Sequence, residues 1–129
     1  MYGVIQMERL ETPVAFIVFN RPETTKQVFE CIRQAKPTKL YIISDAPRIG
    51  RDDDIEKVKE TREYVESHVD WECEVHKNYA ETNMGCKNRV SSGISWVHDN
   101  EALLILLLIN CIRRKCTITQ HTFVIETKS

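Results

Sequence analysis

The sequence predicts an α/β fold of three layers, a mostly parallel sheet with helices packed against it. Two observations carry that expectation. Pro13 to Phe19 (PVAFIVF) and Lys39 to Ser44 (KLYIIS) are short runs rich in apolar and β-branched residues, with about one amphipathic helix of chain between them, the pattern of a βαβ unit. The runs do not alternate apolar with polar, as befits strands covered on both faces of a parallel sheet.

Taken in order, Met1 to Thr12 mixes apolar and charged residues without a clear period and leads into the first strand, Val14 to Phe19. Asn20 is placed to cap the following helix, with Pro22 in the first turn and Glu23 completing a capping-box pattern. Val28, Phe29, Ile32 and Ala35 recur at helical spacing, and Pro37 stops the run. The second strand, Leu40 to Ile43, ends at Ser44-Asp45. Ala46 to Asp54 reads as a charged loop containing Pro47 and Gly50, after which Ile55, Val58, Val65 and Val69 mark one face of a second helix. Asp52-Asp53-Asp54 contains the Asp-x-Asp pattern used by metal-dependent sugar transfer. Its position just before a helical run assigns it instead to N-capping and helix-dipole stabilisation.

Trp71 to Lys77 sets Trp71, Cys73 and Val75 against Glu72, Glu74 and His76, a half-buried strand at an edge or covered on one side. Asn78 to Gly85 is a loop ending in a turn signal. From Cys86 the pattern is helical again, with Val90, Ile94 and Val97 on one stripe, Trp96 near it and Asp99-Asn100 at the end. Leu103 to Ile109 is the fourth strand, and Cys116 to Ile125 has the β propensity of a final one.

A chain of 129 residues that is 42% hydrophobic has enough material for one core, so residues 1–129 are read as a single domain. Within it, 12–109 form the βα core and 110–129, with the basic run Arg113-Arg114-Lys115, an atypical tail. A net charge of −1, from 18 basic and 19 acidic residues spread along the chain, gives no footprint for nucleic acid. The longest apolar run, Ala102 to Ile109, is far short of the roughly 20 residues that cross a bilayer. Five cysteines in no regular framework, without a secretory signal, suggest reduced thiols in a cytoplasmic protein. Cys111, Cys116 and His121 lack the CxxC pairs of structural zinc.

Polar residues gather where open α/β sheets bind ligands, beyond the carboxyl ends of the strands. Asn20 and Arg21 follow the first strand, and Asp45 with Arg48 the second. Asn83 and Gly85 precede the third helix, and Lys87 and Arg89 lie in its first turn. A base or ribose needs donors and acceptors at fixed positions, and a pyrophosphate needs cations or free backbone N–H groups at a helix start. This set supplies both. Each residue also has a plainer role open to it: Asn20 as a cap, Asp45 as a turn residue, Gly85 as a backbone requirement. A dinucleotide site is disfavoured because no GxGxxG follows the first strand. None of His68, His76, His98 and His121 sits in a sequence context that points to nucleophilic catalysis with Cys or Ser, and they read as solvated surface groups.

The order PVAFIVFNRPETT, LYIISDAPR, the helix beginning at Ile55, and NMGCKNRVSSGISWV resembles the nucleotide-binding half of GT-A type, family 2-like glycosyltransferases. The resemblance covers roughly Thr12 to Leu106. It implies a Rossmann-like (GT-A) topology, here incomplete, and a nucleotide-sugar donor such as a UDP-sugar. It assigns Asn20 and Arg21 to the nucleotide pocket and Asp45 to the base, and places Asn83, Gly85, Lys87 and Arg89 near the diphosphate.

Such enzymes also carry an acidic motif after the fourth strand that holds Mg²⁺ or Mn²⁺ against the diphosphate. Here no Asp or Glu occurs from Ala102 to Ile125, so the expected metal finds no ligands at that position. The chain stops about where the acceptor-binding half would begin. The expectation is a donor-binding domain not catalytically competent alone, truncated or frame-shifted in its tail. The alternative is a non-catalytic nucleotide-binding or regulatory α/β module. A response-regulator-like domain would want acids after the first strand, where Phe19-Asn20-Arg21 stands.

Overall fold

The structure, a computed structural model, describes residues 10–99, 103–108 and 122–126. In chain order the elements are β1 (Val14–Val18), α1 (Pro22–Ala35), β2 (Lys39–Ser44), α2 (Asp52–Ser67), β3 (Glu74–Tyr79), α3 (Cys86–His98), β4 (Leu103–Leu108) and β5 (Thr122–Glu126). They form one sheet in the order β3-β2-β1-β4-β5. β1, β2, β3 and β4 are parallel, and β5 runs antiparallel to β4. The α/β class and mostly parallel sheet are therefore as expected. From β1 the chain builds outward through β2 to β3, then returns to place β4 on β1's other side, so the order reverses at β1.

Side-chain alternation in the two central strands divides the core. Val14, Phe16 and Val18 of β1 and Leu40 and Ile42 of β2 face α1 and α2, packing on Val28, Phe29, Ile32 and Val65. Ala15, Ile17, Tyr41 and Ile43 face the other way, onto Val97 with Val90, Ile94 and Trp96 of α3. That is the predicted three-layer arrangement, and it explains why neither strand shows a polar face. Gly93 lets α3 come close: a Cβ there would stand 3.0 Å from Cγ2 of Ile43.

Several boundaries differ from expectation for identifiable reasons. The N-cap of α1 is Arg21, not Asn20, and it makes no side-chain capping bond; Asn20 is engaged elsewhere. Ile55 is 53% exposed, and the buried stripe of α2 is Asp54, Val58, Thr61 and Val65. The third strand begins at Glu74 instead of Trp71. The indole N–H of Trp71 donates to the Pro37 carbonyl at 2.8 Å, and its ring packs on Phe29, which holds the chain off the ladder until the Glu74 N–H reaches Thr38 O at 2.9 Å. β3 is the sheet edge, as its polar alternation predicts, with Val75 38% exposed.

No helix among the described residues is long and apolar enough to cross a membrane. Cys86 is disulfide-bonded, which corrects the expectation that all thiols are reduced. An odd cysteine count does not reveal which pair the fold brings within reach. Cys111, Cys116 and His121, disfavoured above as a zinc site, lie outside the described residues, as does the 110–129 tail apart from β5.

Candidate functional site

A cavity of about 310 Å³ opens at the carboxyl ends of β1 and β2, beside the start of α3. β1 and the residues after it supply Ile17, Phe19, Asn20 and Arg21. Asp45 and Arg48 come from the end of β2, and Asn83, Gly85, Cys86, Arg89 and Val90 from the turn into α3 and its first turns. Seven of the eight residues singled out in the sequence, Asn20, Arg21, Asp45, Arg48, Asn83, Gly85 and Arg89, therefore line one space. Lys87 does not. It is exposed on α3, two positions before Arg89, and residues two apart on a helix point in different directions.

Asp45 is the pin of the far wall. Its side chain is buried and its carboxylate accepts four hydrogen bonds: from the backbone N–H groups of Ala46 (2.8 Å), Met84 (2.9 Å) and Gly85 (3.0 Å), and from Nδ2 of Asn83 (3.3 Å). The same Asn83 amide donates to Ala46 O at 2.8 Å. Asp45 thereby ties the Asn83–Gly85 turn to the end of β2. Gly85 has φ +85° and ψ 155°, a region only glycine enters without strain. A Cβ at Gly85 would meet nothing within 4 Å, so backbone conformation and not space requires glycine there. With Met84 and Gly85 N–H turned onto Asp45, the next N–H groups, at the start of α3, have no intrahelical partner.

Arg89 is buried to 5% exposure and uses its guanidinium to close the ends of two strands. It donates to Ser44 O (3.2 Å), to Asn78 O and Oδ1 (the latter 2.9 Å) and to Ser92 Oγ (3.3 Å). Burial lowers its pKa, opposed by the nearby Asp45 carboxylate. Arg62 of α2 does the matching work on the other side, donating to Ser44 Oγ and Asp45 O, each at 2.9 Å, with its guanidinium 4.4 Å from the Tyr79 ring centroid. Arg89 thus lines the cavity with a cation already engaged by carbonyl oxygens, which differs from the freely available phosphate contact expected of it.

The near wall is built around Asp54, a residue the sequence reading gave only a helix-end role. Its side chain is fully buried, and its carboxylate accepts from Nδ2 of Asn20 (2.9 Å), the backbone N–H of Arg48 (3.1 Å), and Nε (2.7 Å) and Nη2 (3.0 Å) of Arg48. Those Arg48 bonds, with help from Asn20, hold the Asp54 carboxyl well below the usual carboxylate range against the opposing effect of burial. Asp52 and Asp53 remain exposed in the first turn of α2, where negative charge suits the helix dipole.

The described residues do not suit a divalent cation. No group of three or more His, Cys, Asp or Glu among them is placed to hold a metal. The lone pairs of both buried carboxylates at the rim are taken by N–H donors, and Arg21, Arg48 and Arg89 share the space. A hard cation needs several oxygen ligands instead. The position after β4 where an acidic motif was sought lies outside the described residues. Comparison of the chain with protein families, with curated proteins and with solved structures finds no match in any of the three.

Proposed function

We propose that this chain is the donor-binding part of a glycosyltransferase of the GT-A type, recognising a nucleotide-activated sugar such as a UDP-sugar. The observation that carries the reading is the convergence of Asn20, Arg21, Asp45, Asn83, Gly85 and Arg89 on one cavity. It lies beyond the carboxyl ends of parallel strands, next to the strand where the sheet order reverses, as ligand sites in open α/β sheets do. Its volume is at the lower end of the range for small-molecule pockets. The amides of Asn20 and Asn83 are held through Nδ2 by Asp54 and by Asp45 and Ala46 O, and their carbonyl oxygens suit the donors of a base or ribose. The guanidiniums of Arg21 and Arg48 and the N-terminal end of α3, with its positive dipole, suit a diphosphate. Asp45 acts chiefly by holding the turn that shapes the pocket, and a base N–H would have to share its carboxylate with the four donors already there.

A second reading, a non-catalytic nucleotide-binding or regulatory module, is favoured by those same saturated carboxylates. Neither Asp45 nor Asp54 has lone pairs left for a metal or for an acceptor hydroxyl.

Titration of the ¹⁵N-labelled chain with UDP, with and without Mn²⁺, tests the proposal. Chemical-shift changes clustered at Asn20, Arg21, Asn83, Gly85 and Arg89 are expected. Changes scattered over the molecule, or none at millimolar UDP, would remove it. Affinity that rises with Mn²⁺ favours the transferase reading, and metal-independent binding favours the module.

A further inference from the structure

We propose that Asp54 is the positioning residue of this cavity, fixing the Arg48 guanidinium so that its remaining donors serve as the contact for an anionic group of the ligand. The ligand's identity rests on the nucleotide-sugar reading above; the arrangement of Asp54 and Arg48 belongs to the chain itself.

The sequence sets Asp54 on the sheet-facing stripe of α2, in line with Val58, Thr61 and Val65. A buried carboxylate at that position is costly unless every lone pair is satisfied. Here satisfaction comes from the two segments that form the cavity's near wall. Oδ2 takes the Nε–H and backbone N–H of Arg48, while Oδ1 takes Nη2 of Arg48 and Nδ2 of Asn20. The bidentate contact fixes the plane of the guanidinium, which also lies 5.8 Å from the centroid of the Phe19 ring.

Arginine has five N–H donors. Asp54 uses the donor on Nε and one on Nη2, and Nη1 has no partner among the described residues. The Arg48 side chain is 42% exposed and lines the cavity. Its planar fork is therefore held in place before a ligand arrives, so little rotamer entropy is lost on binding. Arg21, by contrast, is exposed at the N-cap of α1, with no carboxylate of the described residues bonded to it.

Calorimetric UDP affinities of the full chain and of Asp54→Asn, Arg48→Gln, Arg48→Lys and the Asp54→Asn/Arg48→Gln double variant test the inference. Asp54→Asn and Arg48→Gln should each weaken binding by about tenfold. The double variant should be no weaker than Arg48→Gln alone, since Asp54 acts through Arg48. Arg48→Lys keeps the charge but not the fork, so it should lose nearly as much as Arg48→Gln, and this variant reads the effect even where Asp54→Asn does not fold.

Asp54→Asn that folds and binds UDP as tightly as the unaltered chain, or Arg48→Lys that does so, overturns the proposal. So do losses that multiply in the double variant. If the unaltered chain ignores UDP, the nucleotide reading fails by itself. The same series is then read with inorganic pyrophosphate, where the same pattern supports positioning by Asp54, and an affinity untouched by the variants, or no binding of pyrophosphate by the unaltered chain, refutes it.

Discussion

Asp45 and Asp54 are both buried carboxylates at one rim, each accepting four hydrogen bonds, and they differ in who donates. Three of the donors to Asp45 are backbone N–H groups, whereas three of the donors to Asp54 are side-chain N–H groups. Backbone donors are fixed by the path of the chain, so removing their acceptor disturbs that path. Side-chain donors can swing to solvent when released. The first aspartate therefore holds the fold of the cavity, and the second holds the groups that a ligand would meet.

The largest expected effect follows from the first half of that contrast. Asp45→Ala leaves the N–H groups of Ala46, Met84 and Gly85 without their acceptor, and each unsatisfied buried donor costs about 1–3 kcal/mol. Water will recover part of this because the turn borders a cavity. A net loss of about 3–5 kcal/mol in urea unfolding is expected. Asp45→Asn, which keeps one carbonyl oxygen, should lose less. An Asp45→Ala chain with an unchanged urea midpoint would mean that the Asn83–Gly85 turn stands without its pin, and the contrast would lose one side.

A smaller effect separates the second aspartate by pH. The folded-state pKa of Asp54 is depressed below the ordinary 3.8, first by the Arg48 hydrogen bonds. Its contribution is therefore fully present above the unfolded-state value and is lost as pH falls through the lower folded value. Asp54→Asn should be less stable than the unaltered chain near pH 7, by about 1–3 kcal/mol. The two urea curves should converge as pH drops below about 4. A stability gap that stays constant from pH 7 to pH 2 would show that the charge of Asp54 contributes nothing and that only its shape matters.

Much of this division was legible in the residues. The non-alternating apolar runs announced central strands, the alternation at Trp71–Lys77 announced an edge, and the polar clusters after β1 and β2 announced where a site would form. The place of Asp54 was open in the sequence, because two stripes one residue apart both fit a helical period. With Val58, Thr61 and Val65 it repeats at helical spacing, as Ile55 does with Val58 and Val65, and the structure buries Asp54 and leaves Ile55 53% exposed. Likewise Arg89 shares the buried face of α3 with Gly93 and Val97, which assigns it to the interior and sets it apart from Lys87. What the sequence did not contain was the partner of each buried polar group. The bonds from Asn83, Met84 and Gly85 to Asp45 span 38 to 40 residues, and the bond from Asn20 to Asp54 spans 34. Such pairings depend on strand order and register, which local periodicity does not encode.

Lys87 gives the smallest expected effect and the sharpest control. It is a cation near the cavity that no carboxylate of the described residues fixes, and it lies outside the cavity lining. At the start of α3 its charge meets the positive end of the helix dipole, an unfavourable placement worth about 0.3–1 kcal/mol at low salt. Lys87→Ala should therefore leave stability unchanged or raise it by a few tenths of a kcal/mol. Its effect on UDP affinity should stay within about twofold in 0.15 M salt, because Lys87 is exposed and outside the cavity lining, where salt weakens its interactions. Calorimetry at low and high salt reads this directly. A tenfold loss, matching that expected for Arg48→Lys, would show that any nearby cation serves equally well, and that holding Arg48 against a buried carboxylate gives the cavity no advantage.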